Sequence, residues 1–212
     1  HILPSVPSLF ISICVIPELP LEEVLTCTAS LFLPVIKLKL PWPSFDVIIF
    51  WPSSKEIHIS ISKQELYLFE LGAITKTYKI SSSKYGEGSE LGSFKTPLGK
   101  HEVKKLIGHD EKIGMRFIGR IPSEIFPIYS TEKVYVADDV VQSRIIWLSG
   151  MEEGENKGPG VDSFDRYIYI HGTPEEWLLG EKASKGCIRM SNTDVIELFD
   201  LLEGGETVQI NK

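Results

Sequence analysis

The sequence predicts a mainly β chain, a β-sandwich or barrel with a single long helix packed on it near the C-terminal end. Three observations predict it. Ile57, Ile59 and Ile61 alternate with His58, Ser60 and Ser62, the period of a half-buried strand. The apolar runs that follow are short and divided by glycine-bearing turns, Gly72 among them. Only one stretch keeps helical spacing, residues 193–202, where Val195, Leu198, Phe199 and Leu202 share a face.

In chain order, residues 1–54 stand apart, rich in Ile, Leu, Val, Phe and Pro and without a charged side chain before Glu18. Pro4, Pro7, Pro17, Pro20, Pro34, Pro41, Pro43 and Pro52 interrupt any long helix. The longest apolar stretch, residues 9–16, is far short of the roughly 20 residues that span a bilayer. It has the length of a secretory h-region but no basic residues before it. The segment therefore reads either as a truncated leader or as sequence from outside the functional domain, and no chemistry is assigned to it. The functional domain is expected at residues 55–212.

Within that domain, residues 66–69 continue the alternation, Gly72 supplies a turn, and residues 74–80 complete a meander. Residues 85–93 form a glycine-rich loop; no helix and no Gly-Lys-Ser/Thr ending follows, which argues against a phosphate cradle. Thr96-Pro97-Leu98-Gly99 turns into a strand at 102–107. Further strands are predicted at 133–137, 144–148, 166–170 and 206–210, with a polar exposed loop at 150–163. A short helical turn is predicted at 174–179, opening on Pro174. Ser191 or Asn192 caps the long helix and Gly204 ends it.

A net charge of -7 leaves no global basic field for a polyphosphate backbone, so nucleic acid is not an expected partner. With 42% hydrophobic residues the chain can bury a core without disulfide staples. Its cysteines, Cys14, Cys27 and Cys187, are odd in number and widely scattered, unlike a disulfide framework. No Cys or His spacing suggests a metal site, and no cofactor is expected.

Chemistry concentrates in two segments. Residues 167–173, Tyr-Ile-Tyr-Ile-His-Gly-Thr, put His171 at the exit of an apolar strand, a rigid mount for an imidazole. Residues 183–190, Ala-Ser-Lys-Gly-Cys-Ile-Arg-Met, put Cys187 behind Gly186 and ahead of the helix. A thiol is a poor nucleophile until ionised, and a nearby imidazole, cation or helix start lowers its pKa. His171, Lys185 and Arg189 offer such surroundings. Gly186 lets a substrate carbonyl approach the backbone closely, where amides beside Cys187 form an oxyanion hole.

In these residues the chain resembles the YkuD-type L,D-transpeptidases, whose signature is an Ile-His-Gly segment followed by Ser/Thr-His-Gly-Cys-hydrophobic-Arg. The matching residues are Ile170, His171, Gly172, Ser184, Gly186, Cys187, Ile188 and Arg189. Ser62-Lys63-Gln64-Glu65-Leu66-Tyr67 is similar to the family's opening hairpin, and Thr96-Pro97-Leu98-Gly99 to its Thr-Pro-Thr-Gly turn. The resemblance implies a β-sandwich catalytic domain that remodels peptidoglycan. In such enzymes the cysteine attacks the peptide bond after the third residue of a tetrapeptide stem, releases D-alanine and holds the stem as a thioester until an amine acceptor resolves it.

Carried over, Cys187 is the nucleophile and His171 its base, the Gly172 carbonyl orients the imidazole, and the amides of Gly186 and Cys187 stabilise the oxyanion. Arg189 either binds a stem carboxylate or braces the loop, and Ser184 and Lys185 are assigned to the same pair of roles. Lys185 stands where the family most often has histidine, and it is expected to keep a positive charge beside the thiol. The implied partners are a tetrapeptide donor and an amine acceptor, and carbapenem-type inhibitors are expected to acylate Cys187. The implied location is the periplasm or cell envelope. Two rival functions fit the same residues: an L,D-carboxypeptidase with water as acceptor, and a non-catalytic wall-binding module.

Outside the motif, His58, His101 and His109 are expected on solvated surfaces. Glu175 and Glu176 either attract an acceptor amine or are ordinary exposed acids at a helix start. Trp177 either packs under the active-site loop or lines the cleft, and Tyr169 faces opposite Ile168 and Ile170.

Overall fold

The computed structural model describes residues 55–212 and, before them, the backbone of β1 (Val35–Lys39) and β2 (Asp46–Phe50). These two strands pair antiparallel, Val35 opposite Phe50 and Lys39 opposite Asp46. They belong to a unit, His1–Ser53, separate from the one formed by Ser54–Lys212. The leader, the extension and the state of Cys14 and Cys27 lie outside the described residues.

The larger unit is mainly β, with one α-helix among the described residues. Its elements are β3 (Lys55–Ser60), β4 (Glu65–Glu70), β5 (Ala73–Lys79), β6 (Gly99–Ile107), β7 (Met115–Ile118), β8 (Ile121–Ile125), β9 (Val141–Gly150), β10 (Tyr169–Gly172), β11 (Ile188–Met190), α1 (Asn192–Asp200) and β12 (Thr207–Asn211). One ten-stranded sheet runs in the order β11-β10-β9-β6-β12-β3-β4-β5, with the β7–β8 hairpin paired to β9. The β4–β5 hairpin is local chemistry: Leu71 and Gly72, both at positive φ (52° and 80°), link the facing residues Glu70 and Ala73 in a two-residue turn.

Strand β9 organises the packing because both of its faces are buried. Ile146 and Leu148 enter the main core with Ile57, Ile59, Leu66, Leu68 and Ile80, so the two halves of the sheet meet across it in a sandwich layering. Val195, Leu198 and Phe199 of α1 close that core. Ile145 and Trp147 point the other way, into a second cluster with Phe117 and Tyr169. Burying each of these large side chains contributes about 1.5–3 kcal/mol. The free ends of the sheet are stitched together beyond β5, where Ser81 and Arg189 exchange two backbone hydrogen bonds of 2.9 Å.

Several expectations need correction. Residues 133–137 are not a strand, because side chains satisfy their backbone: Val136 N donates to Glu175 Oε1 (3.0 Å) and Val134 O accepts from Trp177 Nε1 (3.1 Å). The strand predicted from residue 166 begins at Tyr169, since Asp162 accepts from the amides of Gly158, Phe164 and Asp165 and winds that stretch into turns. The β7–β8 hairpin has little sequence signal because β7 is only four residues long and β8, which holds Pro122, is exposed throughout. The three-residue β11 intervenes between Cys187 and the helix, so Cys187 leads into a strand and not into a helix start.

His101 is fully buried rather than solvated. Its Nδ1 donates to Gly99 O (3.1 Å) and its Nε2 accepts from Ser163 Oγ (2.9 Å), which ties the otherwise polar 150–163 loop to β6. Burial lowers its pKa from 6.5 to about 4. Below pH 6.5 the unfolded chain takes up a proton that the folded chain refuses until about 4, so this contribution is complete above 6.5 and declines across that window. A loss of roughly 3 kcal/mol is expected. Urea midpoints at neutral and mildly acid pH measure it, and His101→Gln should flatten the difference.

Candidate active site

The two motif segments meet on adjacent strands. β10 and β11 run parallel with Ile170 opposite Ile188 and His171 opposite Arg189. Because Ile170 and Ile188 point into the main core, Tyr169, His171, Cys187 and Arg189 share the opposite face. Cys187 lies beside Tyr169, a diagonal neighbour of His171.

His171 is fully buried, and its Nδ1 lies 2.8 Å from Gly172 O. A carbonyl only accepts, so Nδ1 carries the proton and Nε2 is the basic nitrogen. That Nε2 is buried without a hydrogen-bond partner among the described residues. Burial holds the imidazole pKa down, with Asp139 and the Gly172 carbonyl opposing, which favours the neutral ring. Gly172 is required by close approach: a Cβ there would stand 2.4 Å from Asn192 Oδ1 and 2.8 Å from Gln142 O. Asn192, buried at the first position of α1, donates to Thr173 O (2.8 Å) and accepts from Ser143 Oγ (2.6 Å), locking the exit of β10 to the helix. Ser191 supplies the cap itself, accepting from Asp194 N.

Around the thiol, Cys187 Sγ donates to Tyr167 O (3.3 Å) and accepts from Tyr169 N (3.4 Å). Burial, reinforced by the Asp139 carboxylate, pushes its pKa up to about 12; the Tyr169 amide, Arg189 and Arg166 pull the other way. The cations that favour the thiolate are thus Arg189 and Arg166. Lys185 is exposed, and its contact with the site is a backbone one, its N donating to Asp139 Oδ2 (2.7 Å). The resting thiol is therefore protonated, contrary to the depressed pKa expected from its sequence neighbours.

Gly186 sits at φ 123°, a conformation that favours glycine, and its carbonyl accepts from Thr96 Oγ1 (3.0 Å). Its amide faces Ser184 Oγ (3.3 Å), while that hydroxyl donates to Cys187 O (2.6 Å). Ser184 therefore staples the turn before the Cys187 segment. The Cys187 amide is left as the backbone donor beside the sulfur.

Arg189 is 4% exposed and spent on two acids: Nε and Nη2 meet Asp139 Oδ1 (2.7 and 2.6 Å), and Nη1 meets Glu175 Oε2 (2.8 Å). That is a bracing arrangement. Glu175 is buried in this pair, and Glu176 accepts from Asn192 N (2.7 Å) and Ser130 Oγ (2.6 Å), so both acids hold the framework instead of meeting an amine. Trp177 packs edge-on to Tyr135 at 4.8 Å. Sequence reasoning missed Asp139, which lies in an irregular segment with no periodicity to mark it, and Arg166, whose guanidinium donates to Lys95 O (2.7 Å). Among the described residues no group of three or more His, Cys, Asp or Glu is placed to hold a metal ion, and no helix is long and apolar enough to cross a membrane.

The model of the L,D-transpeptidase catalytic domain, YkuD, matches residues 54–210. The chain belongs to that family. Within the L,D-transpeptidase family its match to YkuD of Bacillus subtilis (strain 168) is 51% identical over 43 residues, which is 20% of this chain and 26% of that protein. The chain is also similar to the solved L,D-transpeptidase from Xylanimonas cellulosilytica, at 19% identity, 75% of this chain, 61% of that one and a TM-score of 0.42. The solved L,D-transpeptidase 3 from Mycobacterium tuberculosis, in complex with a faropenem-derived adduct, shares 14% identity over 93% of this chain and 88% of that one, with a TM-score of 0.46.

Proposed function

We propose that the chain is a peptidoglycan-remodelling L,D-transpeptidase that works through a thioester on Cys187. The observation that carries this reading is the basic Nε2 of His171, buried and unpartnered on the face that bears Cys187, with Nδ1 held by the Gly172 carbonyl.

In the first half-reaction the Cys187 proton passes to His171 Nε2 and the sulfur attacks the carbonyl of the third residue of a tetrapeptide stem. The Cys187 amide supports the oxyanion. As the C–N bond breaks, His171 returns the proton to the leaving D-alanine amine, and the acyl group remains on sulfur. In the second, an amine acceptor gives a proton to His171 while its nitrogen replaces the sulfur, which regenerates the thiol. A thiol with a pKa near 12 needs this coupled transfer, because the free thiolate is scarce at neutral pH. The substrate implies action in the periplasm or cell envelope, and a strained carbapenem carbonyl should acylate the same sulfur.

The test is incubation with a tetrapeptide stem, with and without an added amine. Release of D-alanine in both and a linked product only with the amine is the expected result. Trimmed tripeptide alone in both would make the chain a carboxypeptidase. No D-alanine in either would leave a wall-binding module.

A further inference from the structure

Among the described residues, four arginines have acceptors. Arg116 meets Glu124 (3.2 Å), Arg144 meets Glu111 O and Ser143 O (both 2.8 Å), Arg166 meets Lys95 O (2.7 Å), and Arg189 holds Asp139 and Glu175. Arg120 has neither a carboxylate nor a carbonyl partner. It stands in the turn between β7 and β8 at φ 71°, with its guanidinium over the rings of Tyr167 (4.8 Å) and Trp147 (5.2 Å) and Nη1 3.4 Å from the Tyr169 hydroxyl.

Those aromatic residues border the thiol. Tyr167 O and Tyr169 N hydrogen-bond Cys187 Sγ, and Trp147, in the apolar cluster against which Cys187 packs, is fixed by stacking on Phe164 at 4.1 Å. Stacking sets the plane of a guanidinium and leaves most of its N–H edge unspent, the geometry that grips a carboxylate with two parallel hydrogen bonds. Arg189, the arginine that the motif offers for a stem carboxylate, is already committed to two buried acids.

We propose that Arg120 reads the donor: it binds a free carboxylate of the acyl donor beside the scissile carbonyl, and so selects acidic peptides over their amides. This rests on the transpeptidase reading above. Two donor groups carry that chemistry, the terminal carboxylate of the leaving residue and the side-chain carboxylate of the third residue.

Steady-state kinetics on three tetrapeptide donors, the free acid, its C-terminal amide and its side-chain amide, separate them. The wild type should lose about 10- to 100-fold in kcat/KM on one of the two amides, the worth of a charge-assisted hydrogen-bond pair. Arg120→Gln should lose the same factor on the free acid, mostly in KM, and become indifferent to that amidation. Arg120→Lys, which keeps the charge without the fork, should retain part of the preference. Labelling of Cys187 by a neutral alkylating reagent should be equal in all three proteins. Equal turnover of acid and amides by the wild type, or an equal loss on all donors in Arg120→Gln, overturns the role of Arg120 alone. A wild type that turns over none of the donors overturns the transpeptidase reading and this one with it.

Discussion

Cys187→Ala is expected to abolish the mass increment that a carbapenem adds to the wild-type chain, and His171→Gln to slow its appearance by about 100- to 10,000-fold. Both effects follow from a thiol held up near pKa 12, which at neutral pH reacts only if its proton has somewhere to go. His171 Nε2, buried and without a partner among the described residues, is the proposed acceptor. The pH profiles should differ in shape as well as height. In the wild type the rate should rise as the imidazole deprotonates, below its usual 6.5 because burial depresses it, and then level off. In His171→Gln only the bare thiolate reacts, so the rate should climb about tenfold per pH unit with no plateau before pH 10. Timed intact-mass measurements give both curves, and an adduct that persists in Cys187→Ala would remove the nucleophile from its assigned role.

Arg189→Met should be the most destabilising single change in the site, costing about 3–5 kcal/mol. The guanidinium and the Glu175 carboxylate are 4% and 6% exposed and Asp139 is 17% exposed, so deleting the cation strands two acids where water is scarce. For a domain of this size the melting temperature should fall by roughly 10 °C. Adding Glu175→Gln to Arg189→Met should recover part of the loss, since one unpaired charge leaves with it. Thermal melts of the single and double variants decide this; a single variant as stable as wild type would mean that the triad braces nothing.

The sequence made the parts of this molecule legible where structure is local. Strands β3, β4 and β5 follow from two-residue alternation and a glycine turn, and α1 from the spacing of Val195, Leu198 and Phe199. The His171 and Cys187 segments were legible because backbone demands fix their glycines. What escaped was settled by partners far along the chain. His101 looks solvated beside Lys104 and Lys105, yet its mate Ser163 is 62 positions away. Asp139 gains meaning only against Arg189, 50 positions on. The depressed thiol pKa inferred from neighbouring cations failed for the same reason: burial, which no short window reveals, outweighs them.

Strand β12 lies between β6 and β3, antiparallel to the first and parallel to the second, at the middle of the sheet that presents the site. It is also the last of the described strands to be made. During synthesis β3 and β6 wait with bare edges while more than a hundred further positions separate β6 from its partner. Such remote pairing is slow and leaves those edges open to adhesion between chains. The main core, and with it the support beneath His171 and Cys187, closes only when Val208 and Ile210 arrive. Most of the sheet is thus made before Cys187, and only the roughly 20 positions from Cys187 to Thr207 remain before β12 can seat between β3 and β6.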